Sequence, residues 1–493
     1  MAVNKLFVIE KVLLMENMIG REAEKKILKE ALSSRSAELI AIYGRRRVGK
    51  TYLIRTVYEK ELILELTGLN NAAFSEQLEN FNLTLIRTFG LPMTSMNPQT
   101  WLQAFHILIQ VLETKLNDTK QVFFLDEMPW FDTHKSGFLS AFDHFWNTWA
   151  SKQSNLIVVI CGSAASWMIQ NVVRNRGGLH NRITRRIRLM PFNLYESELF
   201  LKNQFVYLDR YQLLQMFMVT GGIPHYLKDV RRGESVTQAI DRMCFTNDGL
   251  LSNEFKDLYA ALFGTSEKHE AVVKALANKP NGLTRNEIIE ACQLNSGGTF
   301  TKLLNELLES GFISEHYPFN KSRDSIYRLS DEFSLFYLKF MDGSKAFGEG
   351  TWQSKTTSSS WKSWSGLAFE NIALKHIAQI KKALGISGVY SEQSAWRYVA
   401  KDVTEKGAQI DLIIDRQDNC INLCEMKFSL TEFTIDKKYA DELNLKRRIF
   451  LEKTGTKKTA FITMLTTFGV KENGHYLSTV QNQLIMDVLF EKM

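Results

Sequence analysis

Three continuous apolar runs, separated by stretches with helical spacing, dominate the first part of the chain. They occupy positions 39–43, 122–125 and 156–161. Runs of this kind are typical of strands that are buried on both faces of a parallel sheet. Strands that alternate with helices predict an α/β fold, which we expect over about residues 17–195.

A glycine-bounded loop joins the first run to a helical stretch. It contains Gly44, Arg45, Arg46, Arg47, Val48, Gly49, Lys50 and Thr51. The pattern G-x-x-x-x-G-K-[ST] lets backbone N–H groups and a helix N-terminus surround phosphate oxygens. We expect Lys50 to reach the β- and γ-phosphates and Thr51 to hold a magnesium ion. The loop therefore predicts a P-loop NTPase core that binds ATP with Mg²⁺.

Polar residues end the second and third apolar runs. Asp126 and Glu127 follow the second run, at a place where a doubly buried strand does not tolerate unpaired carboxylates. We expect Asp126 to assist Mg²⁺ and Glu127 to polarise the attacking water, which predicts ATP hydrolysis. Ser163 follows the third run, where it either senses the nucleotide or caps a helix.

The chain changes character after residue 262. We expect three helices and then a hairpin over residues 263–342, with a capping box formed by Thr284 and Glu287. This order looks like a winged helix-turn-helix. The acidic residues of its third helix favour a packing or lid module, whereas Lys321 and Arg323 in the hairpin turn favour DNA binding.

Four polar groups follow a segment rich in Gly, Ser and Thr, residues 343–361, which we expect to be a linker. Glu370 lies on a helix, Asp411 on one strand, and Glu425 and Lys427 on the next. The last two point to the same face because they are two residues apart in a strand. Carboxylates are suitable ligands for Mg²⁺ or Mn²⁺, so we expect the three acids to hold a metal ion beside the lysine.

Length, composition and charge limit the possible classes of protein. A chain of 493 residues with 45% apolar and 23% charged positions is typical of a multidomain globular protein. The net charge of +7 is modest, so clusters of basic residues matter more for nucleic-acid binding than the total charge. Five scattered cysteines suggest reduced thiols, and no apolar run approaches the length of a membrane span. We therefore expect a cytoplasmic protein with no membrane partner.

The first two thirds of the chain resemble the archaeal-type ATPases of the STAND and AAA-like branch. The resemblance rests on residues 18–22, the phosphate loop, and residues 126–127, 162–163 and 221–224. It implies that Arg21 lies near the adenine. It also implies that Pro224 belongs to a helical lid over the nucleotide.

A basic cluster, residues 182–188, follows the third apolar run. Arg182 is its first arginine. It either stabilises charge on the γ-phosphate, in its own subunit or from a neighbouring one, or lies on a solvated basic face. The first alternative makes an oligomer possible.

The C-terminal part, residues 362–475, resembles the PD-(D/E)xK nuclease core. All four polar positions of that core are present, and Ile410 stands where proline often precedes the strand aspartate. The resemblance implies a restriction-endonuclease-like α/β domain that cleaves phosphodiesters. Some domains of this kind serve only as scaffolds, so partner binding without cleavage is the alternative.

Together these patterns predict an N-terminal extension, an ATPase core, a helical lid, a winged helix-turn-helix, a linker and a nuclease-like domain. The expected boundaries are 1–16, 17–195, 196–262, 263–342, 343–361 and 362–493. Two functions compete on this basis. One is an ATP-driven switch that positions a nuclease domain on DNA or RNA, and the other is an ATP-dependent signalling or scaffold protein that binds a protein partner.

Overall fold

The structure, a computed structural model, divides into two compact units. It describes residues 18–92, 97–163, 165–173, 181–263, 266–320, 325–344, 347–400 and 405–493. The units are Met1–Pro191 with Glu309–Gly311, and Phe192–Leu308 with Phe312–Met493. The extension 1–16 and the hairpin residues Lys321 and Arg323 lie outside the described residues. The six-part division of the chain stays a prediction.

A five-stranded parallel sheet forms the centre of the first unit. Its strands are β1 (Glu38–Tyr43), β2 (Leu62–Thr67), β3 (Gln121–Asp126), β4 (Leu156–Gly162) and β5 (Arg185–Arg188). They lie in the order β2-β3-β4-β1-β5, and each neighbouring pair is parallel. All of β4 is buried, as its apolar run predicts. The predicted α/β fold with a parallel sheet typical of a P-loop ATPase core is confirmed.

Helices and short 3₁₀ or π segments connect these strands. The helices are α1 (Glu22–Leu32), α2 (Lys50–Val57), α3 (Phe74–Phe89), α4 (Trp101–Lys115), α5 (Met128–Phe131), α6 (Phe138–Thr148) and α7 (Ala165–Met168). A 3₁₀ segment spans Ala150–Lys152 and a π segment Ile169–Val173. Aromatic residues at helical spacing on α4 and α6 pack together, with Trp101 and Phe138 ring centroids 5.0 Å apart. This aromatic contact fixes α4 and α6 against each other.

The second unit begins with helices. They are α8 (Leu194–Asn203), α9 (Arg210–Thr220), α10 (Pro224–Leu227), α11 (Val236–Phe245) and α12 (Glu254–Phe263). A tight turn of Gly221 and Gly222 separates α9 from α10, and both glycines have positive φ, 59° and 69°. A Cβ on Gly222 would lie 2.1 Å from the carbonyl oxygen of Phe192. The turn therefore requires glycine at this position.

Three helices and a small antiparallel sheet follow. They are α13 (Glu267–Ala277), β6 (Leu283–Thr284), α14 (Arg285–Cys292), α15 (Gly298–Glu309), β7 (Ile313–His316) and β8 (Ile326–Leu329). The strand order is β6-β8-β7. The predicted capping box forms, because the Thr284 hydroxyl accepts the Glu287 N–H while the Glu287 carboxylate accepts the Thr284 N–H. The predicted helices and hairpin strands are thus present.

The expected linker, residues 343–361, is not an extended connection in the structure. The helices here are α16 (Glu332–Phe336), α17 (Thr351–Lys355), α18 (Ser359–Lys375) and α19 (Ile377–Ala383), and a π segment spans Tyr337–Met341. Trp352 is 1% exposed, and its ring packs against Trp361 at 5.2 Å and Phe336 at 4.9 Å. The tryptophans that lie among the Ser and Thr residues pack into an aromatic cluster, and this packing buries part of the segment. The small polar residues alone did not indicate this burial.

A mixed five-stranded sheet completes the second unit. Its strands are β9 (Ser391–Tyr398), β10 (Ala408–Arg416), β11 (Cys420–Lys427), β12 (Thr459–Thr466) and β13 (Asn482–Ile485), in the order β13-β12-β11-β10-β9. The additional helical segments are α20 (Lys437–Thr454), α21 (Gly474–Thr479) and the 3₁₀ turn Met486–Phe490. The predicted hairpin of β10 and β11 forms, and a bulge interrupts the β9–β10 register between Ile410 and Ile413. Within the described part of the chain, no helix has the length and apolar character to cross a bilayer.

A buried histidine joins the start of α8 to the end of α18. His376 is 1% exposed; its Nε2 accepts the Leu194 N–H at 3.1 Å, and its Nδ1 lies 2.7 Å from the carbonyl oxygen of Ile372. The imidazole thus satisfies one unpaired N–H at a helix start and one carbonyl at a helix end. Burial lowers the pKa of His376 to about 4.

We expect the stability conferred by His376 to be lost in acid. Its folded pKa of about 4 lies below the ordinary value of 6.5, so the stabilisation is full above pH 6.5 and disappears as the pH falls to about 4. The loss should be on the order of 2–3 kcal/mol. Urea unfolding of the parent and of His376→Gln at pH 7 and pH 4.5 measures it. The variant should show the smaller pH dependence, and equal dependence in both proteins would contradict the assignment.

Candidate functional site

The phosphate loop has the backbone geometry that its glycines predict. Gly44 has φ 143° and Gly49 has φ 92°. A Cβ on Gly44 would lie 2.3 Å from the carbonyl oxygen of Leu189, so the loop passes directly against the chain that follows β5. Gly49 is the N-cap of α2. The N-terminal N–H groups of α2 are therefore available at the end of the loop for an anion.

Lys50 and Thr51, the first residues of α2, are anchored within this site. The ammonium of Lys50 donates hydrogen bonds to the carbonyl oxygens of Gly44 and Arg45, at 3.0 and 2.9 Å. The hydroxyl of Thr51 donates to Oδ2 of Asp126 at 2.8 Å. Two positions that are 75 residues apart in the sequence are thus joined at the carboxyl edge of the sheet.

Asp126 is a buried carboxylate with few partners. It is 5% exposed, and its Oδ1 accepts the N–H of Glu127 at 3.0 Å. Burial raises its pKa, while the hydrogen bond from Thr51 opposes that shift and the charge of Glu127 adds to it. A carboxylate in such surroundings favours a proton or a cation. Thr51 and Asp126 together offer hard oxygen donors, and this donor set fits Mg²⁺.

Glu127 and Ser163 form a second contact at the same edge. Glu127 lies just beyond β3 in the left-handed region, with φ 48°. Its Oε2 accepts hydrogen bonds from the N–H of Ser163 at 3.0 Å and from the Ser163 hydroxyl at 2.8 Å. The strained backbone and this paired contact fix the direction of the carboxylate. Ser163 therefore holds the Glu127 carboxylate, and its roles as nucleotide sensor or helix cap stay predictions.

The other predicted nucleotide residues lie in different settings. Arg21 is 2% exposed and donates to the carbonyl oxygen of Val48 at 3.3 Å, so it supports the phosphate loop. Arg46 and Arg47 are partly exposed on that loop. Arg182 is exposed. Pro224 belongs to the second unit, where it is the first residue of α10.

At the C-terminal site, Glu425 is surrounded by three donors. Its carboxylate contacts the ammonium of Lys427 at 2.9 Å and that of Lys446 at 3.1 Å, and it accepts the Tyr439 hydroxyl at 2.9 Å. Although burial alone would raise the pKa of Glu425, the two lysines lower it below its usual range. Glu425 is therefore a charged carboxylate held in one position.

Asp411 and Glu370 lie in the same electrostatic neighbourhood. Strands β10 and β11 are antiparallel, and Leu412 pairs with Cys424. Asp411 precedes Leu412 and Glu425 follows Cys424, so the two acids are adjacent to the same pair. Gln409 donates to Oδ1 of Asp411 at 2.7 Å. Burial raises the pKa of Glu370 to about 8, and the charges of Asp411 and Glu425 contribute to this increase. Glu370 therefore holds a proton at neutral pH unless a cation replaces it.

The structure brings the four predicted groups near one another, and the metal site itself stays a prediction. Among the described residues, no group of three or more His, Cys, Asp or Glu is arranged to hold a metal ion. The β9–β10 bulge falls at Asp411, and bulges commonly redirect a side chain next to a site.

Several neighbours of these groups were not predicted from the sequence. Tyr439 and Lys446 both contact Glu425 from α20. Their spacing of seven residues places them on one face of a helix, which was an available signal. Gln409 and Asp411 are two residues apart on β10, and the side chains of such residues share one face of a strand, which was also an available signal.

Comparison with known proteins defines the class of the nucleotide-binding region. Residues 18–230 match the family model of an ATPase domain found predominantly in Archaea. The matched residues include the phosphate loop, Asp126 and Glu127, so the match supports an ATPase-type domain in this region. The uncharacterized protein MJECL04 of Methanocaldococcus jannaschii is 24% identical over 432 residues, which cover 86% of this chain and 90% of that protein.

Solved structures include two with partial similarity. The Walker-type ATPase PABY2304 of Pyrococcus abyssi has a TM-score of 0.44 and 18% identity, over 66% of this chain and 96% of that one. The ORC2 protein of Aeropyrum pernix, in ADPNP and ADP complexes, has a TM-score of 0.40 and 15% identity, over 68% and 94%. The family match, together with the site geometry, defines the domain class.

Gly44→Ala should destabilise the first unit by about 1–3 kcal/mol, because the new Cβ would meet a backbone oxygen that has no side-chain freedom. Gly137→Ala is the control: Gly137 also has positive φ, 70°, but a Cβ there would have nothing within 4 Å. Thermal unfolding of both variants measures the difference. Equal losses would mean that backbone strain, rather than contact with Leu189, requires glycine at position 44.

Proposed function

We propose that this protein is a Mg-ATP-dependent switch whose nucleotide state controls a nuclease-like domain acting on DNA or RNA. The ATPase half rests on one observation above the others: the Thr51 hydroxyl and the buried Asp126 carboxylate meet beside Lys50 and the phosphate loop. These contacts support a site at one edge of the sheet that binds Mg²⁺ and the β- and γ-phosphates. The archaeal-type ATPase match covers the same residues.

Each residue of the nucleotide site has a proposed role. Lys50 would exchange its two carbonyl partners for phosphate oxygens, and Thr51 and Asp126 would hold Mg²⁺, which would supply positive charge against the phosphates. Glu127 orients the attacking water. Ser163 holds the Glu127 carboxylate and thus links hydrolysis to the end of β4. Arg21 supports the loop near the adenine.

Three further sets of residues have proposed nucleotide roles: the middle of the loop, a lid and an exposed arginine. We propose Arg45, Arg46, Arg47 and Val48 as loop contacts to the phosphates. For Pro224 we propose a place in a lid formed by residues 196–262. Arg182 is exposed. This exposure is compatible with a contact to the γ-phosphate of a neighbouring subunit and with a solvated basic face.

Lys50→Ala should weaken Mg-ATP binding by about ten- to a hundredfold or more, because a charge-assisted contact to the phosphates is lost. Glu127→Gln should retain binding and reduce turnover by about a hundredfold or more. Lys60→Ala, at an exposed lysine of the same unit, is the matched control. Titration calorimetry measures binding, and phosphate release measures turnover. Unchanged ATP affinity in Lys50→Ala would overturn the phosphate-loop assignment.

We propose that residues 263–342 form a winged helix-turn-helix that acts as a packing module. Phe319, which follows β7, is 7% exposed and lies in a hydrophobic cluster with Ile410 and Phe450. Pro318 forms a bridge to Ala395 of β9. The module therefore packs on the C-terminal sheet, which favours a structural role over reading DNA.

The nuclease-like assignment of residues 362–493 rests on Glu370, Asp411, Glu425 and Lys427. Asp411 and Glu425 lie on paired strands, and Glu370 lies close enough for their charges to raise its pKa. A Mg²⁺ or Mn²⁺ ion held by these carboxylates would activate a water for attack on a phosphodiester. Lys427 holds the Glu425 carboxylate in position, with its ammonium 2.9 Å from Oε1.

A basic groove along α20 supports nucleic acid as the substrate. The groove has a volume of about 1210 Å³. Its charged lining consists of Lys406, Lys437, Lys438, Arg447, Arg448, Asp441, Glu442 and Glu452. Cations outnumber carboxylates, and two of the carboxylates already form ion pairs, Glu442 with Lys446 and Glu452 with Arg448. An excess of positive charge of this kind favours a phosphate backbone.

The second candidate is an ATP-dependent scaffold whose C-terminal domain binds a protein partner and cleaves nothing. One observation favours it: Glu425 forms ion pairs with two lysines and accepts a hydrogen bond from the Tyr439 hydroxyl. A carboxylate with these partners gains less from a metal ion than one that is unpaired.

Asp411→Asn should weaken Mn²⁺ binding at least about tenfold and abolish phosphodiester cleavage, because it removes a charged metal ligand. Asp418→Asn is the control, since Asp418 lies in the turn of the same hairpin and pairs with Arg416. Calorimetry with Mn²⁺ and incubation of single- and double-stranded DNA and RNA with Mn²⁺ and ATP are the measurements. Mn²⁺ binding that is equal in parent and variant would remove Asp411 from the metal site. Absence of cleavage by the parent would favour the scaffold.

A further inference from the structure

A buried arginine in the small three-stranded sheet has no partner that accounts for its charge. Arg328 of β8 is 6% exposed, and its buried Nε has no hydrogen-bond partner in the described part of the chain. No carboxylate of the described residues forms an ion pair with it. Burial of an uncompensated guanidinium is costly, so such a group commonly serves an anion that binds from outside.

The position of Arg328 is fixed by the turn that precedes β6. Gly282 has φ 82°, and a Cβ there would lie 2.8 Å from Cγ of Arg328. The adjacent Asn281 accepts a hydrogen bond at 2.9 Å from Gln409, which also donates to Asp411 at 2.7 Å. The stem of the arginine is thus packed against a turn that is hydrogen-bonded, through one glutamine, to the carboxylate of the C-terminal site.

The other cations of this neighbourhood are already engaged. Lys427 and Lys446 both form ion pairs with Glu425, at 2.9 and 3.1 Å. They neutralise that carboxylate and are not available in full for a further anion. A phosphodiester that enters a site with three carboxylates needs a positive charge of its own, and Arg328 is placed to supply it.

We propose that Arg328 binds the phosphate of a nucleic-acid strand at the C-terminal site. A guanidinium offers parallel N–H donors that match two phosphate oxygens, a geometry that a lysine does not reproduce. The small sheet of residues 283–329 thereby contributes a substrate-binding residue to a domain that begins after residue 361. This inference rests on the proposed action on nucleic acid.

The test compares Arg328→Gln, Arg328→Lys and the parent in binding fluorescein-labelled DNA and RNA oligonucleotides by anisotropy. Ca²⁺ replaces the catalytic metal in these titrations so that the strand stays intact. Arg328→Gln should bind about ten- to a hundredfold more weakly, and Arg328→Lys should lie between it and the parent. The slope of log affinity against log salt should fall by about one for Arg328→Gln, as loss of one phosphate contact requires.

Arg232→Gln is the matched control, because it removes the same charge from an exposed position in the second unit. Thermal unfolding identifies a variant that fails to fold, and Arg328→Lys then carries the test because it keeps the buried charge. Parent-like affinity and salt slope in Arg328→Gln would overturn the inference, even if Asp411→Asn abolishes cleavage. Weak binding by Arg328→Gln, with no cleavage by the parent in Mn²⁺, would support Arg328 and overturn the nuclease function. Absence of binding by the parent would overturn both.

Discussion

Burial of the Asp126 carboxylate is the constraint on which the nucleotide-binding half depends. The strand that carries it is apolar and enclosed, so the charge has few partners besides the Thr51 hydroxyl and the Glu127 N–H. A parallel sheet brings the ends of β1, β3 and β4 to one edge, which gives this carboxylate its neighbours. The same burial that raises the pKa of Asp126 makes a divalent cation favourable there. The burial of Asp126 at the end of β3 therefore affects both the stability of the fold and the chemistry at this edge of the sheet.

The second unit also contains buried carboxylates whose charge must be compensated. Glu332 is buried against Lys375, with the ammonium 2.6 Å from its carboxylate, and Glu425 is buried against two lysines. In each case the charge is balanced within the protein. Glu370 is different, because burial, with a further contribution from the charges of Asp411 and Glu425, raises its pKa to about 8. The contrast between balanced and unbalanced charges separates structural ion pairs from groups that are suited to bind a metal ion or a substrate.

The sequence predicted much of the fold because its signals were local. Continuous apolar runs located β1, β3 and β4, and the spacing of Thr284 and Glu287 located a helix start. The same reasoning did not reveal the helices within residues 343–361, where glycine, serine and threonine suggested a linker. The tryptophans of that segment pack against Phe336 and Phe340, whose positions are known only once the helices have assembled. Local composition therefore underestimated burial where the partners are distant in the sequence.

The candidate sites show the same division between local pattern and assembly. The sequence alone determined the phosphate loop, because glycine conformations and a helix start act over eight consecutive residues, and it determined which acids stand at strand ends. Only the tertiary structure decided that Thr51 meets Asp126, that Ser163 holds Glu127, and that Lys446 and Tyr439 surround Glu425. The lack of a hydrogen-bond partner for Nε of Arg328 among the described residues was likewise invisible in the sequence, where an arginine in a hairpin strand is ordinary. The physical reason is that desolvation and pairing depend on what lies within a few ångströms, and that distance is set by strand order and helix packing rather than by position along the chain.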